Sequence, residues 1–154
     1  MMTVQQDDLK WMSLAIEQAK LCPTVAGAFS VGAVIVDANG DEVSRGYSRE
    51  TDEKVHAEES ALAKVGDNDR ARLSGATIYS TLEPCSQRAS RPLSCTHLIV
   101  DAGIPRVVMA WREPSLFVAD CQGVELLKSA GVEVVELPEL ADAAKEMNSH
   151  LAIS

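Results

Sequence analysis

The chain has 154 residues, 46% of them hydrophobic and 24% charged, and a formal charge of −9. That length suits one domain with a sizeable core, so residues 1–154 are read as a single unit. The acidic balance repels polyphosphate, which excludes nucleic acid as an expected partner.

Residues 7–21 read as an amphipathic helix: Leu9, Met12, Ala15, Ile16 and Ala19 fall at helical spacing, and Pro23 follows the end. Residues 29–36, FSVGAVIV, form a nearly unbroken apolar, β-branched run, the pattern of a strand covered on both faces. Asn39-Gly40 is a hairpin signal, and a second strand is expected over 42–47. Residues 56–65, HAEESALAKV, are rich in helix formers. A strand is expected over 76–81, whereas 84–94, with Pro84, Pro92 and three serines, is a loop. A helix over 95–102 is closed by Gly103 and Pro105. A strand over 107–111, a mostly helical stretch over 118–130, a strand over 132–135 and a helix over 138–152 complete the chain. The order α-β-β-α-β-α-β-α-β-α is a hairpin followed by alternating elements. It predicts an α/β fold, a three-layer α/β/α sandwich around a five-stranded mixed sheet.

No apolar stretch reaches the ~18 residues of a membrane span. The opening MMTVQQDDLK has no basic n-region and no apolar h-region, so no signal peptide is read, no membrane partner is expected and a cytoplasmic location is. In that setting Cys22, Cys85, Cys95 and Cys121 favour metal binding or free thiols over disulfides.

The chemistry-bearing residues are His56, Glu58, Cys85 and Cys95. One imidazole and two thiolates make a three-ligand zinc site with a fourth position open, the arrangement of catalytic rather than structural zinc. Side chains two apart in mid-helix diverge by about 200°. His56 and Glu58 therefore reach one site only from the first turn of the helix. Cys95 opens another helix, whose N-terminus favours thiolate over thiol, and Cys85 lies in the loop before it. H-x-E followed by P-C-x-x-C is the signature of zinc deaminases, in which the Glu is acid and base rather than ligand. Here nine residues, not two, separate Cys85 from Cys95. Zinc lowers the pKa of bound water towards ~7, and Glu58 is the candidate to carry its proton to a ring nitrogen and a departing amine. The plain alternative for Glu58 is a first-turn acid favoured by the helix dipole. His97 is a remote candidate for a fourth ligand, and Cys22 and Cys121 read as incidental thiols.

At these residues the chain resembles the cytidine deaminase-like zinc superfamily, in order and over nearly its whole length. The closer resemblance is to riboflavin-pathway pyrimidine deaminases: TLEPCS at 81–86 looks like their zinc loop, and Ala102-Gly103-Ile104 with the following strand also fits. The fungal-type, stand-alone form fits better than the bacterial bifunctional one. AFSVG at 28–32, GYSRE at 46–50, HAEE at 56–59, the long cysteine gap, and Glu113-Pro114 with Phe117-Val118 after Trp111 are all similar to it. The resemblance implies one Zn2+ per chain, a small-molecule substrate, a homodimer, and hydrolytic deamination of a diaminopyrimidinone ribityl- or ribosylamino 5'-phosphate. The bacterial type has an Asn where Ala28 stands, a His where Ser48 stands, and D-P-N in place of Glu113-Pro114-Ser115, and no reductase domain is expected to follow Ser154. Ala28 and Ser48 are thus candidate substrate contacts. Arg49, Arg88 and Arg91 are candidates for a substrate phosphate, against the alternative of solvated surface arginines. Trp111 is a candidate to stack on a flat base, or an ordinary core tryptophan.

Two other readings stay open. One is deamination of a different small substrate: a cytosine nucleotide or nucleoside, a free nucleobase or a specialised metabolite. The other is a non-catalytic zinc-binding protein.

Overall fold

The expected alternation of elements is present in a computed structural model that describes residues 4–25, 28–85, 94–112 and 122–151. In chain order these are α1 (Val4–Ala19), β1 (Gly32–Val36), β2 (Glu42–Tyr47), α2 (Ala57–Ala63), a 3-10 segment (Asp67–Gly75), β3 (Thr77–Leu82), α3 (Cys95–Ala102) and β4 (Arg106–Trp111). Then come α4 (Gly123–Ser129), β5 (Glu133–Glu136), a 3-10 turn (Pro138–Leu140) and α5 (Ala141–Glu146). The strands lie in the order β2-β1-β3-β4-β5. β1 is antiparallel to both β2 and β3, and β3, β4 and β5 are parallel. The five-stranded mixed sheet is therefore the one expected.

Helices cover both faces. α1 packs on β1 and β3 and touches α5, while α2 packs on β2 and β1 and continues through α3 to α4. Every residue of β1 is buried, as its apolar run requires. Two glycines set how closely the layers approach. Gly32 pairs with Tyr47 and Ala33 with Gly46, so the two glycines face opposite sides of the sheet. A Cβ on Gly32 would lie 1.8 Å from the Ala15 carbonyl oxygen of α1. One on Gly46 would lie 2.7 Å from the Ala57 carbonyl oxygen of α2. Only glycine lets both helix backbones rest directly on the sheet.

Several expected boundaries differ by one to three residues, such as α1, expected over 7–21 and found over Val4–Ala19, and three differences bear on the architecture. The strand expected over 29–36 begins at Gly32, because the backbone before it bonds to side chains instead of a neighbouring strand. Ser30 N–H donates to Asn148 Oδ1 at 2.6 Å, and Val31 N–H donates to Ser48 Oγ at 3.0 Å. The helix expected over 138–152 is shorter: after Glu146 the chain tightens into i→i+3 bonds at Asn148, Ser149 and Leu151, with buried Asn148 turned towards Ser30. Of the helix expected over 118–130, α4 begins at Gly123, and 118–121 lie outside the described residues. The 3-10 segment Asp67–Gly75 had no periodic signal; Arg72 ties it to Asp37 of the β1–β2 turn at 2.8 Å. Among the described residues, no helix is long and apolar enough to cross a membrane.

At the end of the parallel strands where β4 begins, a buried polar cluster joins α1 to the sheet. Arg106 donates from both terminal nitrogens to the two Asp8 carboxylate oxygens, at 2.8 and 2.7 Å, and Tyr79 donates its hydroxyl to Asp8 at 2.7 Å. Burial alone would raise the Asp8 carboxyl. The hydrogen bonds from Arg106 and Tyr79, with the Arg106 charge, outweigh it and hold the group below its ordinary 3.8. A depressed folded value stabilises the fold above the unfolded pKa, and that stabilisation is lost as pH falls through the folded value. Asp8→Asn should therefore lower stability by about 3 kcal/mol at neutral pH, as breaking a buried pair does. In urea unfolding the gap from wild type should narrow below pH 4; a gap independent of pH would contradict the ion pair.

Candidate active site

His56 is the residue that caps α2, with extended backbone angles of φ −89° and ψ 160°. Its N–H donates to the Glu59 carboxylate at 3.2 Å, and its carbonyl accepts the first helical bond, from Ser60 N–H at 2.9 Å. The imidazole thus leaves the chain before the helical twist begins, and Glu58 follows in the first turn. The requirement that both residues sit at the helix start is met.

The thiols arrive from the other direction. β3 runs past Leu82, and Glu83 N–H extends the parallel pairing by donating to Trp111 O at 2.9 Å. Pro84 then turns the chain, and Cys85 follows. Ser94 caps α3, accepting from His97 N–H at 3.3 Å, and Cys95 is the first helical residue. Cys95 N–H donates to Cys85 Sγ at 3.2 Å. His56 Nδ1 stands 3.6 Å from Cys85 Sγ and 3.3 Å from Cys95 Sγ. One ligand atom from each of the three lies within 4.8 Å of the others, and both cysteines are buried.

The donor set fits zinc. Zn–N near 2.0 Å and Zn–S near 2.3 Å in a tetrahedron give ligand–ligand edges of about 3.5–3.8 Å, close to the two sulfur–nitrogen separations. The thiol at Cys85 is also easily ionised. A hydrogen bond with the Cys95 side chain does most to lower its pKa, to about 4, with help from His56 and Cys95 N–H and against burial.

Glu58 is 4% exposed and lies next to this cluster. Burial is the main reason its carboxyl is pushed up to about 7, and the charge of the Cys85 sulfur adds to that. The His56 charge, the Glu58 backbone N–H and the Ser80 hydroxyl pull the other way. A carboxyl poised near neutrality can both accept and return a proton.

The other candidate residues are more dispersed. Ser48 is buried, and its hydroxyl accepts from Val31 N–H. Arg49 has φ +62°, unusual for a residue other than glycine. Its guanidinium makes four hydrogen bonds, two to Pro23 O, one to Phe29 O and one to Ser30 Oγ. It fastens the segment before β1. Ala28 is partly buried and its carbonyl lies 3.3 Å from His150 Nε2. Trp111, the last residue of β4, meets Phe29 edge to face with centroids 6.0 Å apart. Its Nε1–H is buried and has no acceptor among the described residues. Arg88, Arg91 and Cys121 lie outside the described residues. His97 is exposed, with Nδ1 2.7 Å from Ser94 Oγ, and stands apart from the ligand cluster.

A family model for the cytidine and deoxycytidylate deaminase zinc-binding region matches residues 5–111. The chain belongs to that deaminase family. It is 49% identical over 128 residues to the diaminohydroxyphosphoribosylamino-pyrimidine deaminase of Schizosaccharomyces pombe, covering 82% of this chain and 31% of the relative. It is 37% identical over 146 residues to the riboflavin biosynthesis protein RibD of Aquifex aeolicus, covering 94% and 38%. The chain thus spans about a third of the length of these curated relatives. Among solved structures, RibD of Acinetobacter baumannii superposes with a TM-score of 0.78 at 35% identity, over 93% of this chain and 38% of that one. The Rib2 deaminase of Aspergillus oryzae gives 0.76 at 23% identity over 91% and 89%, a likeness of fold.

Within this deaminase family member, four residues at the site were not singled out by the sequence: Glu59, Ser80, Glu83 and Thr96. Glu59 carried a usable signal, an acid at the third helical position behind the cap. The others depend on which strands and helices meet. Cys85→Ser and Cys95→Ser should each reduce bound zinc to background, whereas Glu58→Gln should retain about one zinc per chain. Metal analysis of the purified proteins checks this, and a zinc-depleted Glu58→Gln would make Glu58 a ligand instead.

Proposed function

We propose that the chain is a zinc-dependent aminohydrolase, one deaminase unit, acting on a diaminopyrimidinone ribityl- or ribosylamino 5'-phosphate of riboflavin biosynthesis. The observation that carries the chemistry is Glu58, buried, raised towards neutrality, and in the same first turn as His56. Zinc held by His56, Cys85 and Cys95 would lower the pKa of a water at its fourth position towards ~7. Glu58 takes a proton from the attacking water as oxygen bonds to the ring carbon bearing the amine. It delivers that proton to the adjacent ring nitrogen, then takes the remaining proton of the new hydroxyl on the ring carbon and passes it to the amine. The C–N bond then breaks, ammonia leaves and a ring carbonyl remains. Ser80 lies beside the Glu58 carboxyl, with its hydroxyl donating to Leu82 O at 2.8 Å.

The substrate assignment is supported by the relatives in Schizosaccharomyces pombe and Aquifex aeolicus. In this reading Trp111, backed by Phe29, flanks the pyrimidine, and its Nε1–H, without an acceptor among the described residues, suits an oxygen acceptor. Ala28 and Ser48 lie on the segments leading into and out of the β1–β2 hairpin and shape the pocket wall. Arg88 and Arg91, in the zinc loop, are proposed for the phosphate, because Arg49 is already engaged by backbone carbonyls. The same reading includes a cytoplasmic enzyme, where thiolates stay reduced, and a homodimer. The groove between α2 and α3, lined by Leu62, Ala63, Leu98 and Ala102 together with Glu59, Arg70 and Asp101, offers surface for a second copy.

A second reading, deamination of another small substrate, is favoured by Ala28 and Ser48, which replace the Asn and His of the bacterial pattern. The deciding experiment is ammonia release by the zinc-loaded protein. The panel holds diaminopyrimidinone ribityl and ribosyl phosphates, cytosine nucleosides and nucleotides, and free bases. Turnover of a ribityl or ribosyl phosphate, reduced at least about 100-fold in Glu58→Gln, is the expected result. Turnover confined to cytosine compounds or free bases would move the chain to the second reading, and zinc binding without any turnover would favour a binding role.

A further inference from the structure

Glu83 stands two residues before Cys85 and is 3% exposed. Its carboxylate accepts from Val124 N–H in the first turn of α4 at 3.0 Å, while its own N–H donates to Trp111 O at 2.9 Å. Gly123 completes the contact: a Cβ there would lie 2.1 Å from the Pro84 carbonyl oxygen and 3.1 Å from Glu83 Cγ. The Glu83-Pro84 peptide is therefore pressed between the end of β4 and the start of α4. From the other side Thr96 grips Cys85, donating its N–H at 3.1 Å and its hydroxyl at 2.7 Å to the Cys85 carbonyl. The main chain that presents the Cys85 sulfur is held on two sides by elements that carry no ligand of their own or only the neighbouring one.

We propose that Glu83 is a positioning residue for the metal ligand Cys85, acting by locking Pro84 against α4. The inference rests on the zinc reading above. A buried carboxylate is costly unless hydrogen-bonded, and here its length lets it reach from the ligand loop to a helix that approaches only because residue 123 is glycine. Groups that orient a metal ligand without touching the metal change metal affinity when removed. A group that only stabilises the fold lowers the unfolding midpoint and leaves the affinity of the folded protein unchanged. Asp8 supplies that comparison, because it bonds to the first residue of β4, whereas Glu83 follows the last residue of β3.

The test measures zinc affinity of the full chain by competition with a chromogenic chelator, together with the urea midpoint. The variants are Glu83→Ala, Glu83→Gln, Gly123→Ala and Asp8→Asn. Glu83→Ala should weaken zinc binding about 10- to 100-fold, and Glu83→Gln, which keeps an acceptor oxygen, should recover most of it. Asp8→Asn should lower the midpoint with zinc affinity unchanged. If Glu83→Ala does not fold, Gly123→Ala carries the same expectation by displacing the Pro84 carbonyl. Wild-type zinc affinity in the folded Glu83→Ala or Gly123→Ala protein overturns the proposal, as does an equal loss in Asp8→Asn. A wild-type chain that binds no zinc at all overturns the metal reading itself, a result distinct from equal affinities.

Discussion

The demand that shapes this molecule is that an imidazole and two sulfurs, from three separated stretches of chain, meet within 4.8 Å in a buried place. A thiolate out of water is costly unless partners or a cation offset it. The local architecture answers with polar groups already in position: Cys95 N–H on the Cys85 sulfur, His56 Nδ1 against both sulfurs, and two helix starts nearby. Parallel strands make this possible. β3 and β4 end side by side, at the edge where open α/β sheets place their sites.

Close approach of backbones carries that arrangement outward. α2 bears His56 and Glu58, and it lies at the required depth because Gly46 beneath it has no side chain. The residues around Gly46 act as a brace. Ser48 accepts from the strand opposite, Arg49 in its left-handed conformation ties down the segment before β1, and Glu50 accepts from Ser60 at 2.7 Å and Lys64 at 2.5 Å. Four specific bonds on one guanidinium hold the uncommon backbone angle of Arg49 in place. A stretch that draws attention in sequence as part of a substrate pocket is, in three dimensions, also what holds the helix that follows His56 on the sheet.

Stability and chemistry occupy different ends of the strands. At the β4 start, Asp8, Arg106 and Tyr79 form a fully bonded buried cluster that joins α1 to two strands. At the opposite end lie Glu58, whose carboxyl burial pushes up to about 7, and Trp111, with an unpaired buried donor among the described residues. The Trp111 Nε1–H, without an acceptor among the described residues, carries a cost there that the bonded end does not, as expected where a site must be able to receive a ligand.

The amino-acid sequence by itself determined the element order and the covered interior strand β1, and it put forward the candidate chemistry-bearing residues. Each of these is a local matter: apolar periodicity for α1, the unbroken run in β1, Asn39-Gly40 for the hairpin, and residue types suited to zinc at His56, Cys85 and Cys95. It also required His56 and Glu58 to share a first helical turn, because helical geometry admits no other way for both to reach one point. Where local signals misled, a distant side chain had replaced a backbone partner, as Asn148 did for Ser30 across 118 positions. Glu83 shows most clearly what only the tertiary structure decided. In sequence it is one acid in a loop motif, and its partner Val124 lies 41 positions away. That pairing exists because β3, β4 and α4 converge and Gly123 leaves room for them, which is a property of how surfaces pack and not of any stretch of residues read alone.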